Sequence, residues 1–109
     1  EKLAADFAAL SFGGGPDNPP RCDVLINNSG VSWGEPLERV SGRLNWGWDR
    51  VLDLNVKAPF YLTRAMLPLL NAPPDATAAA HDPARVINVG SIAGLMPQDV
   101  PTHAYDVSK

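Results

Sequence analysis

The sequence predicts an α/β protein in which two parallel strands are joined by a helical crossover. Two short runs, residues 23–27 and 85–89, are rich in aliphatic and β-branched side chains and have the length of buried strands. Between them, residues 46–70 carry apolar side chains at helical spacing. Because a helix separates the two strands, we expect them to pair in parallel through a right-handed connection.

The elements follow one another as helix, strand, helix, strand and helix, without an internal repeat. The expected bounds are 1–10, 23–27, 46–70, 85–89 and a last helix that opens at 102. Residues 11–21 have the glycine- and proline-rich composition of a linker, and residues 71–84 form a loop rich in proline and alanine. Most of the 11 prolines lie in such connections.

Composition narrows the class of protein. A length of 109 residues suits one small domain, and a hydrophobic content of 45% excludes a disordered tail. The net charge of −3 comes from mixed acidic and basic residues, so we expect no nucleic-acid partner. No apolar run approaches the ~20 residues of a membrane span, so no membrane partner is expected. The single Cys22 cannot form an internal disulfide, which favours a reducing, cytoplasmic compartment.

Tyr105 and Lys109 are four residues apart and share one face if residues 102–109 open a helix. An isolated tyrosine has a pKa of about 10, and a neighbouring cation favours the phenolate form. The pair is therefore a candidate proton donor. The alternative is a solvated helix face. The two histidines lack metal-ligand spacing and a cysteine partner, so no metal site is predicted.

Ser91 directly follows the apolar run 85–89, between Gly90 and Gly94. Open α/β sheets bind ligands at the carboxyl ends of their strands, where this hydroxyl could donate to a developing oxyanion. The alternative is a turn serine that bonds its own backbone. Other loop residues could supply an apolar substrate wall or simply pack within their loops: Trp33, Leu95, Met96 and Val100.

Together these residues resemble the short-chain dehydrogenase/reductase family. The family's Tyr-x-x-x-Lys matches Tyr105 to Lys109, and its catalytic serine matches Ser91. Its Asn-Asn-Ala-Gly turn matches Asn27-Asn28-Ser29-Gly30, with Ser29 in place of alanine, and its helix asparagine matches Asn55. The runs 31–34 and 83–94 further resemble the branch of 3-oxoacyl-acyl-carrier-protein reductases linked to rhamnolipid synthesis.

The resemblance implies part of a doubly wound parallel Rossmann-type sheet and an NAD(P)-dependent oxidoreductase that acts on a small carbonyl or alcohol. Tyr105 would be the acid or base, and Lys109 would support it and hold the nicotinamide ribose. Ser91 would polarise the substrate oxygen, and Asn55 would hold a relay water. The turn Asn27-Asn28-Ser29-Gly30 would lie near the cofactor, together with Tyr105 and Lys109. The cofactor is NADP or NAD, with NADP slightly favoured.

The family's glycine-rich turn between its first strand and first helix has no match in the sequence. Gly13-Gly14-Gly15 follows a helical pattern and precedes a proline-rich segment, so it is no substitute. We therefore expect residues 1–109 to be the central fragment of one NAD(P)-binding domain, without its cofactor turn and C-terminal part. By itself this fragment is expected to be inactive.

The helix at 46–70 is apolar around most of its circumference, which is more than one sheet face covers. Another helix of the same chain could cover the remainder, but in the family the corresponding helix packs between subunits. We therefore expect a homodimer or homotetramer formed through this helix. Pro59 is predicted to break the helix and expose the carbonyl of Asn55, because it supplies no N–H four residues later.

Two other functions remain open. A non-catalytic dinucleotide-binding protein could retain the same residues. A sugar-nucleotide epimerase or dehydratase would share the pair Tyr105 and Lys109, but the 27–30 turn and Asn55 argue against it. The substrate is not identified by the sequence, and the choice between NAD and NADP is not fixed by it.

Overall fold

A computed structural model of the chain describes residues 2–10, 20–43, 46–71 and 82–109. The elements are α1 (Lys2–Leu10), β1 (Val24–Asn27), α2 (Trp46–Leu52), a π-helical turn (Asp53–Lys57), α3 (Ala58–Leu70), β2 (Arg85–Asn88), a 3₁₀ turn (Ile92–Gly94) and α4 (His103–Ser108). This order agrees with the predicted α/β class. Most of the predicted linker and of the 71–84 loop lies outside the described residues.

Strands β1 and β2 form a two-stranded sheet. The Arg85 N–H donates to the Asp23 carbonyl at 2.8 Å, and the Val89 N–H donates to the Asn27 carbonyl at 3.1 Å. Both strands advance in the same direction between these two bonds, so the pair is parallel, as predicted. At its carboxyl end, the Asn27 Nδ2 donates to the Asn88 Oδ1 at 2.7 Å.

The chain divides into two compact units. The first comprises Glu1–Ile26 and Tyr61–Ile87, and the second comprises Asn27–Phe60 and Asn88–Lys109. The first unit has a small apolar core in which partly buried side chains pack on buried ones: Cys22, Met66, Leu69 and Leu70, with Leu25, Leu62 and Ala84. In the second unit, Val51 of α2 and Ala104 of α4 are buried almost completely.

The strands are less buried than their composition predicts. Val24, Ile26, Val86 and Ile87 are between 41% and 56% exposed, so the expectation of buried strands is wrong for these residues. Two strands leave most of both sheet faces open, whereas a doubly wound sheet covers each face with helices. Only β1 alternates clearly, with Asn27 buried between exposed neighbours.

The predicted helix at 46–70 is present, but it changes register in the middle. At the π-helical turn, the Ala58 N–H donates to the Asp53 carbonyl, five residues back. Pro59 follows directly, and it has no N–H to offer the carbonyl at 54 or the one at 55. Asn55 therefore lies within an irregular turn, which the sequence indicated only through the proline.

Candidate active site

A cleft of about 370 Å³ lies in the second unit, a size within the usual range for small-molecule sites. Its lining residues follow strand β1, follow strand β2, lie on α4 or directly follow α4: Asn28, Gly30, Val31, Ser32, Val89, Gly90, Tyr105 and Lys109. This is the edge at which parallel α/β sheets bind ligands, because the carboxyl ends of the strands meet there.

Tyr105 lies on α4, Lys109 directly follows the last residue of that helix, and both line the cleft. The Lys109 Nζ lies 5.7 Å from the centroid of the Tyr105 ring, within cation–π range. The same ammonium donates to the Val89 carbonyl at 3.0 Å. The Tyr105 hydroxyl has no hydrogen-bond partner among the residues that the structure describes. The arrangement thus presents a half-buried phenol beside a cation, with its hydroxyl available to a ligand.

The side-chain amide of Asn55 binds the loop that forms one wall of the cleft. Its Oδ1 accepts the Val31 N–H at 2.9 Å, and its Nδ2 donates to the Val31 carbonyl at 2.9 Å. The second Nδ2 proton is donated to the Ser108 Oγ at 2.8 Å. A primary amide has two donors and one acceptor oxygen, so all of these functions are used and its orientation is fixed.

Gly30 fits between two of the predicted site residues. A Cβ built at this position would lie 3.3 Å from the Asn55 Oδ1 and 3.3 Å from the Lys109 Nζ. Such distances are tighter than ordinary van der Waals contact, so any side chain here would displace one of these polar groups. The glycine of the Asn-Asn-Ser-Gly turn is therefore needed for space rather than for an unusual backbone angle.

Trp33 packs within the second unit and does not line the cleft. Its ring meets Trp46 edge to face, with centroids 5.1 Å apart and planes at 75°. A Cβ on Gly47 would overlap the Trp33 ring. Of the proposed apolar wall, Leu95, Met96 and Val100 are more than half exposed, and none of them lines this cleft. Loop packing is therefore what the structure shows for Trp33.

The remaining predicted residues lie around the cleft rather than in its lining. The Ser91 Oγ accepts the Ala93 N–H at 3.2 Å and thereby caps the 3₁₀ turn, which was the alternative considered for this serine. Its own proton is donated to no residue in the described ranges. Ser29 is exposed and Asn27 is buried, and neither lines the cleft, whereas Asn28 does.

Three groups in the site were not singled out by sequence reasoning: the Asn88 side chain, the Val89 carbonyl and the Ser108 hydroxyl. Ser108 lies inside the Tyr-x-x-x-Lys motif, where only the two ends had been weighed. Its spacing of three from Tyr105 is a signal that could have been used, since a helical serine often bonds a carbonyl in the preceding turn.

In the described part of the chain, no group of three or more histidine, cysteine, aspartate or glutamate side chains is placed to hold a metal ion. Over the same residues, none of the helices combines the length and apolar character that a membrane crossing requires.

Comparison with known proteins identifies relatives of this chain. Residues 16–109 match the family model for short chain dehydrogenases. The chain is 43% identical over 89 residues to a rhamnolipids biosynthesis 3-oxoacyl-[acyl-carrier-protein] reductase of Pseudomonas aeruginosa, a match that covers 82% of this chain. It is 36% identical over 76 residues to an NADP-dependent 3-hydroxy acid dehydrogenase of Salmonella typhi, which covers 69% of this chain.

Among solved structures, the RhlG/NADP active-site complex of Pseudomonas aeruginosa superposes with a TM-score of 0.74 at 38% identity. The match covers 98% of this chain and 36% of that one. The chain also spans only 32% and 26% of the lengths of the two curated relatives. The shared fold is the doubly wound parallel α/β sheet of the predicted Rossmann type, of which this chain forms a part.

Replacing Gly47 with alanine tests the contact between α2 and the Trp33 ring. Alanine favours a helix over glycine by about 1 kcal/mol, but the new methyl group would overlap the Trp33 ring, and overpacking costs about 1–3 kcal/mol. We expect Gly47→Ala to lower the Tm of the complete protein in thermal unfolding followed by circular dichroism.

The matched control is the same substitution in a Trp33→Ala background. There the overlap is gone, and we expect Gly47→Ala to leave the Tm unchanged or raise it. A higher Tm for Gly47→Ala with Trp33 present would contradict the packing described.

Proposed function

The chain belongs to the short-chain dehydrogenase family, and on this premise we propose that the complete protein is an NADP-dependent oxidoreductase that interconverts a carbonyl and an alcohol. The observation that carries the proposal is the Tyr105 ring beside the Lys109 ammonium in a cleft at the strand ends. NADP is chosen over NAD because one relative is named as NADP-dependent and a similar structure is an NADP complex.

The residues of the cleft fit the nicotinamide-ribose end of such a cofactor. Gly30 and Gly90 leave the wall without side chains, and the Lys109 ammonium, one of whose three donors binds the Val89 carbonyl, has further donors that suit ribose hydroxyls. Asn28 adds amide groups to the same wall. When bound, the cofactor supplies or accepts the hydride, while the protein provides position and electrostatics. Asn27 and Ser29, the other two residues of the turn, support this wall from outside the lining.

In the proposed reaction, the Tyr105 hydroxyl donates its proton to the carbonyl oxygen during reduction and takes it back from the alcohol during oxidation. The positive charge of Lys109 stabilises the phenolate that remains. The Ser91 hydroxyl, whose proton is uncommitted among the described residues, donates to the same substrate oxygen and orients it. Tyr105, Lys109 and Ser91 are thus three of the four proposed catalytic residues. The fourth is Asn55.

Asn55 is proposed to hold the water through which the site exchanges protons with solvent. Its side chain is fully used in binding Val31 and Ser108, so its contribution to proton movement comes from the main chain. The π-helical turn and Pro59 leave carbonyls of this turn without the usual helical donor. A water held there would connect Lys109 to solvent, so that Lys109 passes a proton to the Tyr105 phenolate after reduction and regains one from solvent through the water.

The substrate class follows from the names of the two relatives. A 3-oxoacyl reductase and a 3-hydroxy acid dehydrogenase both act on an oxygen at carbon 3 of an acid or acyl chain, in its two oxidation states. We therefore propose a 3-oxoacyl group as the substrate. The epimerase or dehydratase alternative is not favoured, because none of the relatives described carries such a name.

We also propose a homodimer or homotetramer formed through α2 and α3, in the cytoplasm. The apolar side chains of Val56, Phe60 and Leu67 are 46%, 63% and 45% exposed on this helix. Exposed aromatic and aliphatic groups on one element are typical of a subunit interface. Cys22 is a free thiol, which suits a reducing compartment.

Tyr105→Phe tests the reaction. We expect the complete protein to lose about 10²–10⁴-fold in turnover, because the general acid is gone, while NADPH still binds by fluorescence titration. The chain's other tyrosine, Tyr61, is exposed on α3 and provides the control. Tyr61→Phe should stay within about threefold of the parent.

Turnover of Tyr105→Phe within the same threefold would overturn the assignment. A complete unaltered protein that binds NADPH but turns over neither 3-oxoacyl substrates nor simple ketones would support the non-catalytic alternative.

Gly30→Ala tests the cofactor wall. The added methyl group must push back the Lys109 ammonium or the Asn55 amide. Losing one hydrogen bond of this kind corresponds to a rise of about fivefold in the KM for NADPH. Gly34→Ala is the matched control, because its methyl would find ordinary contact at 3.8 Å from the Pro101 carbonyl. Equal KM values for the two variants would contradict the proposed wall.

Phe60→Glu tests the subunit interface. A charge on this exposed aromatic position should shift the complete protein towards its monomer in sedimentation velocity, because an unpaired charge is costly in an apolar interface. Leu37→Glu, at a position that is 78% exposed, should leave the sedimenting species unchanged. An unaltered mass for Phe60→Glu would argue against this interface.

A further inference from the structure

Ser108 is the last residue of α4, the helix that carries Tyr105 and precedes Lys109, and it connects this helix to Asn55. It lies next to Lys109 and three residues after Tyr105, and it is half-buried. Its hydroxyl is bonded to the Asn55 amide and to the Tyr105 carbonyl, so any role in the reaction must act through these neighbours.

The direction of the hydrogen bonds at Ser108 is determined by its partners. The Asn55 Oδ1 must accept the Val31 N–H, so the Nδ2 is the group that faces Ser108, and it can only donate. The Ser108 Oγ therefore accepts from Asn55 at 2.8 Å. Its single proton is then donated to the Tyr105 carbonyl at 2.7 Å. One hydroxyl thus serves as acceptor and donor at once.

The resulting chain of bonds runs from the Val31 main chain through the Asn55 amide and the Ser108 hydroxyl to the Tyr105 main chain. It joins the wall of the cleft to the residue proposed as the proton donor. Removing the hydroxyl would leave one Asn55 N–H and the Tyr105 carbonyl without these partners, in a partly buried environment where unsatisfied polar groups are costly.

We propose that Ser108 is a positioning residue for the reaction, which sets α4 against Asn55 so that Tyr105 and Lys109 face the loop of Gly30 and Val31. The inference rests on the proposed function. It concerns kcat rather than ground-state binding, because the Ser108 hydroxyl is fully used in its bonds to Asn55 and Tyr105, whereas a small displacement of a proton donor reduces the rate.

A simpler role is possible for a serine in this place, namely local stabilisation of α4 by its bond to the Tyr105 carbonyl alone. The two roles differ in their dependence on Asn55. If Ser108 acts through Asn55, removing either residue breaks the same chain of bonds. If it only stabilises α4, the two substitutions act independently.

A double-mutant cycle on the complete protein separates these cases, with steady-state kinetics on NADPH and a 3-oxoacyl substrate. We expect Ser108→Ala to lower kcat about tenfold while the KM for both substrates stays within about twofold. Combining Ser108→Ala with Asn55→Ala should lower kcat no further than Asn55→Ala does. Additive losses, or a loss confined to KM, would overturn the proposal.

An isosteric pair keeps the test valid if the alanine variant does not fold. Threonine retains the hydroxyl, whereas valine has nearly the same shape without it. We expect Ser108→Thr to keep kcat within about threefold of the parent and Ser108→Val to fall at least as far as the alanine variant. Equal kcat values for the threonine and valine variants would overturn the proposal. Ser41→Ala, at an exposed position, is the control that should change nothing.

Failure of this inference is distinguishable from failure of the proposed function. If Tyr105→Phe loses turnover but the Ser108 cycle is additive, the oxidoreductase assignment stands and Ser108 has only a local role. If Tyr105→Phe keeps its turnover, the assignment itself fails, whatever Ser108 does.

Discussion

The arrangement of the cleft depends on one side-chain amide. Asn55 binds both polar groups of the Val31 main chain, as a neighbouring strand would, and so places the loop that carries Gly30. An isolated helix asparagine is a poor choice for helix stability. Here the cost to helix stability is offset because every polar group of the amide is hydrogen-bonded. The bonds to Val31 also fix the conformation of the loop after β1, which has no further strand to pair with in the described part of the chain.

The π-helical turn explains how one helix supplies this amide. A regular helix across residues 53–57 would bond each of its carbonyls four residues ahead, whereas here the Ala58 N–H reaches back five residues to Asp53. Pro59 then prevents the next bond from forming. The irregular turn thus combines two features at one place: a side chain that holds the cleft wall and main-chain carbonyls, at 54 and 55, to which Pro59 offers no N–H.

Glycines determine how closely the other parts of the site can approach. Gly30 admits the Lys109 ammonium and the Asn55 oxygen to the same point, and Gly47 admits the Trp33 ring to the surface of α2. In both cases the glycine is required by a neighbouring side chain rather than by its own backbone angles. Lys109 is held additionally by the Val89 carbonyl at the end of β2, so both strand ends contribute to the position of one charge.

The sequence by itself determined the order of elements and the parallel pairing of β1 and β2, because these features are local or periodic, and a period of two or of 3.6 residues can be counted along the chain. Spacing and position singled out Tyr105, Lys109 and Ser91, whereas Asn55 and the 27–30 turn were added to the same site by their resemblance to the motifs of a known family. The burial of the strands was misjudged because burial depends on what covers a sheet, which composition does not specify. The π-helical turn was indicated only through Pro59, since the register of a helix is decided by which donors and acceptors are free.

The bonds from Asn55 to Val31 and Ser108 join residues 24 and 53 positions apart, and the pairing of Asn27 with Asn88 spans 61. Only the tertiary structure decided these contacts, because a hydrogen bond between distant residues forms where the folded backbone brings a donor and an acceptor together.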